Sequence, residues 1–101
     1  MRRILVIIYA IFLAGCCDEK ALPGALKNLY SAKASERNKA LLVIGKCGGK
    51  VESAVPKIAQ LMYDENVGVA SSAAYALRTI DSKSARTALK AAEQARAVRR
   101  R

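Results

Sequence analysis

Shifting the chain by 33 residues against itself superposes two sets of apolar positions without a gap. The first set aligns Leu22, Ala25 and Leu29 with Val55, Ile58 and Met62. The second set aligns Ala40, Val43, Ile44 and Cys47 with Ala73, Ala76, Leu77 and Ile80. Both sets recur at helical spacing, which places each of them on one face of an α-helix. The pattern predicts two successive units, each consisting of a helix A, a short turn and a helix B.

Turn and capping residues set the predicted helix ends. The first unit has its helix A at about 21–30 and its helix B at about 35–47; in the second unit the helices lie at about 52–63 and 66–80. Gly48-Gly49 ends the first helix B, and Asp64-Glu65-Asn66 forms a solvated turn that caps the second. A third helix, capped by Asp81 or Ser82, follows at about 83–99. Its narrow stripe consists of Ala85, Ala88, Leu89, Ala92 and Ala95.

Neither unit can bury its apolar stripe alone, and stacking the two side by side makes one continuous apolar seam. The predicted fold class is therefore all-α, a short α-solenoid of helical hairpins after an N-terminal signal peptide. A plain helical bundle is the alternative arrangement of the same helices. About two and a half units lie near the lower limit of roughly three repeats for independent stability. The third helix is thus expected to act as a C-terminal cap, and self-association is a further way to bury area.

Residues 21–95 resemble HEAT-like repeats of the type found in phycobilisome-lyase-like proteins. The second unit has the pattern of Pro56 before apolar residues, Asp64 in the turn, and an Ala-rich helix B that ends at Ile80-Asp81. The first unit fits at Pro23 and Gly48 but has Ser31 in place of the turn Asp. The resemblance implies that the B helices line a concave side on which partners bind. Pigment attachment, an activity of some relatives, is not carried over, because no pigment-handling motif is present.

The first sixteen residues have the organisation of an export signal. Met1-Arg2-Arg3 gives a positive start, residues 4–13 are uninterruptedly apolar, and Ala14-Gly15 precede Cys16. Leu13-Ala14-Gly15-Cys16 resembles the lipobox of bacterial lipoproteins. That resemblance implies a cleaved signal peptide at 1–15, acyl chains such as palmitate on Cys16, and a tether at 16–20. The alternatives are an uncleaved apolar anchor, or a mistaken start ahead of a cytosolic protein.

Two further cysteines remain once Cys16 is assigned to the lipid. Cys17 and Cys47 could pair in an oxidising compartment, although nothing in the sequence requires it. Cys47 lies on the apolar stripe of a predicted helix, which favours a buried free thiol.

Residues suited to catalysis are scarce. The chain has no His, which removes the commonest general base and metal ligand. The segment 45–50 contains Gly and Lys but lacks the spacing of a phosphate-binding loop. The neighbouring carboxylates Asp18-Glu19 and Asp64-Glu65 are expected to be solvated turn residues. We therefore expect no enzyme activity, no metal site and no cofactor.

Basic charge is concentrated at the C-terminus. The net charge is +10, and residues 86–101 contain six Lys or Arg and one Glu. The candidates for contact with a membrane or an anion are Arg96, Arg99, Arg100 and Arg101, in the basic tail at 96–101. The alternative is a solvated helix end whose cations favour the helix dipole. Nucleic acid is not expected as a partner, because no aromatic residues are interleaved with the basic ones.

A second face of the B helices supplies candidates for partner binding. They are Lys39, Leu42 and Lys46 in the first unit, and Ser72, Tyr75 and Thr79 in the second. Exposed Leu42 and Tyr75 among polar neighbours suit an interface; the alternative is that they pack against flanking chain.

Taken together, these features predict a lipid-anchored, extracytoplasmic lipoprotein of the bacterial envelope, with a non-catalytic HEAT-like module that binds an unidentified protein. The alternative is a cytosolic basic HEAT-like domain that binds nucleic acid or acts as an enzyme accessory subunit.

Overall fold

A computed structural model describes residues 17–100 of the chain. The predicted signal peptide, Cys16 and Arg101 lie outside the described residues. Within them the fold is all-helical and contains no strand. The α-helices are α1 Leu22–Asn28, α2 Ala34–Cys47, α3 Val55–Leu61, α4 Val67–Ile80 and α5 Lys83–Arg100, and a 3-10 helix at Gly48–Ala54 connects α2 to α3. The predicted all-α class is therefore confirmed, and the helices lie close to their predicted bounds.

Local residues account for most of the helix ends. Pro23 and Pro56 stand in the first turns of α1 and α3, where the missing N–H leaves no helical hydrogen bond unmade. Gly48, with a φ of 60°, ends α2 in a backbone conformation that side chains disfavour. The Asn66 side chain accepts a 3.1 Å hydrogen bond from the Val69 N–H at the start of α4. Ser82 rather than Asp81 caps α5, by accepting from the Ala85 N–H at 3.1 Å.

The connection between the two hairpins differs from the prediction. A second helix A was expected to start at about residue 52, but the chain first passes through the 3-10 helix, and regular α-helix begins only at Val55. The break lies at Val51, whose φ of −117° and ψ of 31° are not helical. The Val51 side chain is fully buried. The chain therefore bends at the buried residue Val51. From Gly48-Gly49 the sequence predicted only that a helix ends here.

Two hairpins, α1–α2 and α3–α4, pack through their second helices, and α5 covers α3 and α4. The Ser72 hydroxyl donates to the Asn38 side-chain oxygen, and further along the same helices Gly45 lies against Tyr75 and Thr79. Residue numbers thus rise together along α2 and α4, so these two helices run parallel. All the predicted stripe positions of the two units are buried except Leu22 and Val43, which are half-buried against the core.

The core is wider than the predicted stripes. Leu41 and Val69 are fully buried, although neither belongs to the 33-residue register. Leu41 lies on α2, which packs against both α1 and α4. A helix enclosed from two sides buries a broader face than the single stripe expected of a surface helix.

The helices give the molecule two distinct ends. We call the end with the turns at residues 29–33 and 62–66 the turn end, and the opposite end, with Cys17, Cys47 and the 3-10 helix, the disulfide end. Helix α5 begins at the disulfide end, where the Ser84 hydroxyl donates to the Glu52 carboxylate. Its last two turns lie at the turn end, beside Tyr63 and Asp64.

Candidate functional site

A disulfide joins the first described residue of the chain to the end of α2. Cys17 and Cys47 are joined, with their Cα atoms 4.6 Å apart, and Cys47 is the last residue of α2. The expectation of a buried free thiol at Cys47 is therefore wrong. Its position on an apolar helix face suggested an isolated thiol, but at the disulfide end Cys47 lies next to Cys17.

An ion pair lies beside the disulfide. Lys50 Nζ donates to Glu19 Oε1 at 2.7 Å. The hydrogen bond and the charge of Lys50 hold the pKa of Glu19 below its ordinary value. Both side chains are largely exposed, so the pair stabilises the fold little compared with the covalent link.

The predicted partner-binding residues share one surface of the α2–α4 pair. We call this surface, made by Lys39, Leu42, Lys46, Ser72, Tyr75 and Thr79, the α2–α4 face. All are exposed except Ser72, which is half-buried by its hydrogen bond to Asn38. The Thr79 hydroxyl donates to the Ala76 carbonyl oxygen at 2.9 Å. Leu42 and Tyr75 thus present apolar surface among polar neighbours, as an interface requires.

Tyr75 also has a packing role that the sequence pattern did not reveal. A Cβ atom added to Gly45 would lie 2.8 Å from Tyr75 Cε1, so the ring covers the glycine. Gly45 therefore lets α4 approach α2 closely at this point. The ring is held against α2 on one side and exposed on the other.

A partly buried ion pair joins the two hairpins at the turn end. Arg37 Nε and Nη2 donate to the two carboxylate oxygens of Asp64 at 3.0 and 3.1 Å, and Arg37 Nη1 donates to the Ser31 carbonyl at 2.9 Å. The Asp64 side chain is 10% exposed. The expectation that Asp64 is a solvated turn residue is therefore wrong, because Arg37 from the preceding hairpin covers it. Sequence reasoning missed Arg37, which no motif singles out.

The electrostatics of Asp64 follow from this enclosure. Burial by itself raises the pKa of the Asp64 carboxyl. Hydrogen bonds from the Asn66 N–H and from Arg37, with the charges of Arg37 and Lys57, outweigh burial and leave the pKa below its ordinary value. Lys57 also lies over the Tyr30 ring, with its Nζ 4.6 Å from the centroid. The two hairpins are thus linked at the turn end by one ion pair and one cation–π contact.

The predicted basic tail divides into two groups. Arg96, Arg99 and Arg100 are all exposed on the last two turns of α5. Arg96 and Arg99 line a pocket of about 150 Å³ together with Met62, Tyr63, Asp64 and Ala95. Arg100 does not line it. The structure therefore places two of the predicted contact residues on a concave surface and the third outside it.

An open apolar groove of about 680 Å³ lies along the contact between α3 and α5. Small side chains form most of its walls, among them Pro56, Ala59, Ala88 and Ala91. The methyl-sized stripe of α5 fills little of the space beside α3, and this leaves the groove open.

The described part of the chain offers no group of three His, Cys, Asp or Glu side chains placed to hold a metal ion. None of the helices between residues 17 and 100 has the length and apolar content needed to cross a membrane. Comparisons with known protein families, with curated proteins and with solved structures found no match for this chain.

Proposed function

We propose that the chain is a lipid-anchored lipoprotein whose HEAT-like helical module binds another protein at the bacterial envelope. The observation that carries the proposal is the Cys17–Cys47 disulfide. Disulfides persist in oxidising compartments and are rare in the cytosol. A chain that folds around such a bond is suited to the extracytoplasmic side of the membrane, which is where acylation of Cys16 would leave it.

The position of the disulfide also suits an anchor. Cys17 directly follows Cys16, the acylated residue of the proposed lipoprotein. The lipid would thus be one residue away from a covalent link to α2. Such an anchor holds the domain close to the bilayer, because almost no free tether separates the two.

The packing of the hairpins supports the HEAT-like interpretation over a plain bundle. The second helices of the two hairpins run parallel, and each packs on its own helix A. Contacts between α2 and α4 join Asn38 to Ser72 and Gly45 to Thr79, at almost constant offset. Two hairpins stacked side by side in the same orientation are the arrangement expected of a short solenoid. Helix α5 would then be its terminal cap.

The anchor is tested by metabolic labelling with a clickable palmitate analogue. We expect label on the wild-type chain and none on Cys16→Ala, because only the acylated cysteine carries the lipid. The double variant Cys17→Ala/Cys47→Ala is the matched control and should keep its label. Absence of label on the wild type, with the chain in the cytosolic fraction, would contradict the anchor and favour a cytosolic domain that binds nucleic acid or an enzyme.

The protein-binding role is tested on the α2–α4 face. Leu42→Glu places a charge on exposed apolar surface, so we expect an unchanged melting temperature and loss of the partner that is crosslinked to the wild type on intact cells. Val67→Glu is the matched control, since Val67 is 79% exposed at the turn end of the neighbouring long helix. If Leu42→Glu kept the same crosslinked partner, the α2–α4 face would not be the binding surface.

A further inference from the structure

Two arginines in the last two turns of α5, Arg96 and Arg99, lie on the side of the helix that faces the other helices. Ala92, Arg96 and Arg99 are spaced by four and three residues, and therefore lie on one side of the helix. Ala92 is buried, so this is the side of α5 that faces the helical array. Arg96 and Arg99 continue that side at the turn end, where they line the 150 Å³ pocket with Tyr63. Two guanidinium groups thus share a concave surface with a phenol.

The positive charge of this pocket is not matched by the carboxylate beside it. Both oxygens of Asp64 already accept hydrogen bonds from Arg37, and Oδ1 also accepts from the Asn66 N–H. None of the ion pairs formed between residues 17 and 100 includes Arg96 or Arg99. The pocket therefore offers two guanidinium groups, and phosphate is an anion that guanidinium binds well through its planar set of donors.

The surface around the pocket resembles a membrane-contacting surface more than an ordinary solvated helix end. Tyr30 and Tyr63, at the same end of the molecule, are 72% and 55% exposed. Exposed tyrosines beside cations suit the boundary between headgroups and water, where the ring is partly apolar and the hydroxyl stays hydrated. Lys57, over the Tyr30 ring, adds a further cation to this end.

We propose that the pocket of Tyr63, Arg96 and Arg99 binds the phosphate of an anionic lipid headgroup. The proposal rests on the lipid anchor, which brings the domain to the headgroups. Helix α5 starts at the disulfide end, and its path from Lys83 to Arg96 and Arg99 is about 20–24 Å long. Anchor and pocket can meet the same bilayer only if the helices lie along its surface. The charges of α5 suit that orientation, because residues 83–100 carry six Lys or Arg and one Glu.

The test uses the full acylated chain in neutral detergent and follows the Nε–H resonances of its arginines by NMR. The titrants are dihexanoyl phosphatidylglycerol, dihexanoyl phosphatidylcholine and inorganic phosphate. We expect phosphatidylglycerol to shift Arg96 and Arg99 saturably while Arg86 and Arg100 stay unchanged. Inorganic phosphate should bind more weakly, because it makes none of the contacts of the glycerol and acyl groups with the tyrosines.

Variants separate the pocket from general attraction to positive charge. Arg96→Gln/Arg99→Gln should weaken binding of phosphatidylglycerol roughly tenfold or more. Lys90→Gln/Arg100→Gln removes the same charge from exposed positions that do not line the pocket, and should change the affinity by less than about threefold. Equal losses in the two variants would overturn the pocket in favour of diffuse attraction.

The comparison of titrants and the fatty-acid label distinguish failure of the pocket from failure of the anchor. Equal affinity for inorganic phosphate and phosphatidylglycerol would overturn the lipid as the source of the phosphate. No saturable shift with any titrant would overturn the site itself. Missing fatty-acid label on Cys16 would refute the anchor, whereas a labelled chain with unshifted Arg96 and Arg99 would refute only the pocket.

Discussion

Replacement of both Cys17 and Cys47 by Ala is expected to lower the free energy of unfolding by about 3–4 kcal/mol. The disulfide joins residues 30 positions apart, and a covalent link across such a loop removes much conformational freedom from the unfolded chain. For a domain of this size, the loss corresponds to a fall in melting temperature of roughly 15 °C or more. Part of the loss also comes from the Cys47 side chain, because this residue is buried at the end of α2.

Thermal unfolding followed by circular dichroism, with and without dithiothreitol, measures this effect on the full chain in neutral detergent. Reductant should lower the melting temperature of the wild type almost to that of the double variant, and should leave the double variant unchanged. A wild-type melting temperature that is insensitive to reductant would show that the two cysteines are not linked.

The Asp64→Ala change is expected to lower the free energy of unfolding at pH 7 by about 2–3 kcal/mol. It leaves the mostly buried Arg37 guanidinium without its bidentate acceptor, and it removes the acceptor of the Asn66 N–H at the turn before α4. The matched control is Glu65→Ala, the exposed neighbouring acid, which should change stability by no more than about 0.5 kcal/mol.

The loss of stability caused by Asp64→Ala is expected to depend on pH. Because the pKa of Asp64 is lower in the folded state, its carboxylate contributes stability above its unfolded pKa of about 3.9. That contribution is lost as the pH falls through the folded pKa. The difference in melting temperature between wild type and Asp64→Ala should therefore be largest near neutral pH and narrow below about pH 4. A difference that stayed constant from pH 7 to pH 3 would mean that the ion pair does not stabilise the fold.

Features governed by local sequence were predictable in this chain. The helix bounds follow from apolar periodicity, from Pro23 and Pro56 at helix starts, and from Gly48 at a helix end. Ser82 and Asn66 cap the helices that the pattern assigned to them. Each of these signals involves residues within a few positions of one another, so their spacing in the sequence determines which of them can be in contact.

Features that join distant segments were not predictable. Arg37 and Asp64 lie 27 residues apart, and nothing in either neighbourhood indicates the other. Cys17 and Cys47 could be named as a possible pair, but only the path of the chain past the end of α2 brings them together. The pocket of Arg96 and Arg99 was not predictable for the same reason. The sequence shows that the tail is basic, but which of its arginines lie beside Tyr63 depends on how α5 packs.

Top-down mass spectrometry of the chain, extracted from membranes without reductant, measures its first residue, its acylation and its cysteine linkage together. We expect a chain that begins at Cys16, carries acyl chains on that residue and has Cys17 linked to Cys47. A chain that begins at Met1, without acyl chains and with all three cysteines as free thiols, would contradict this expectation.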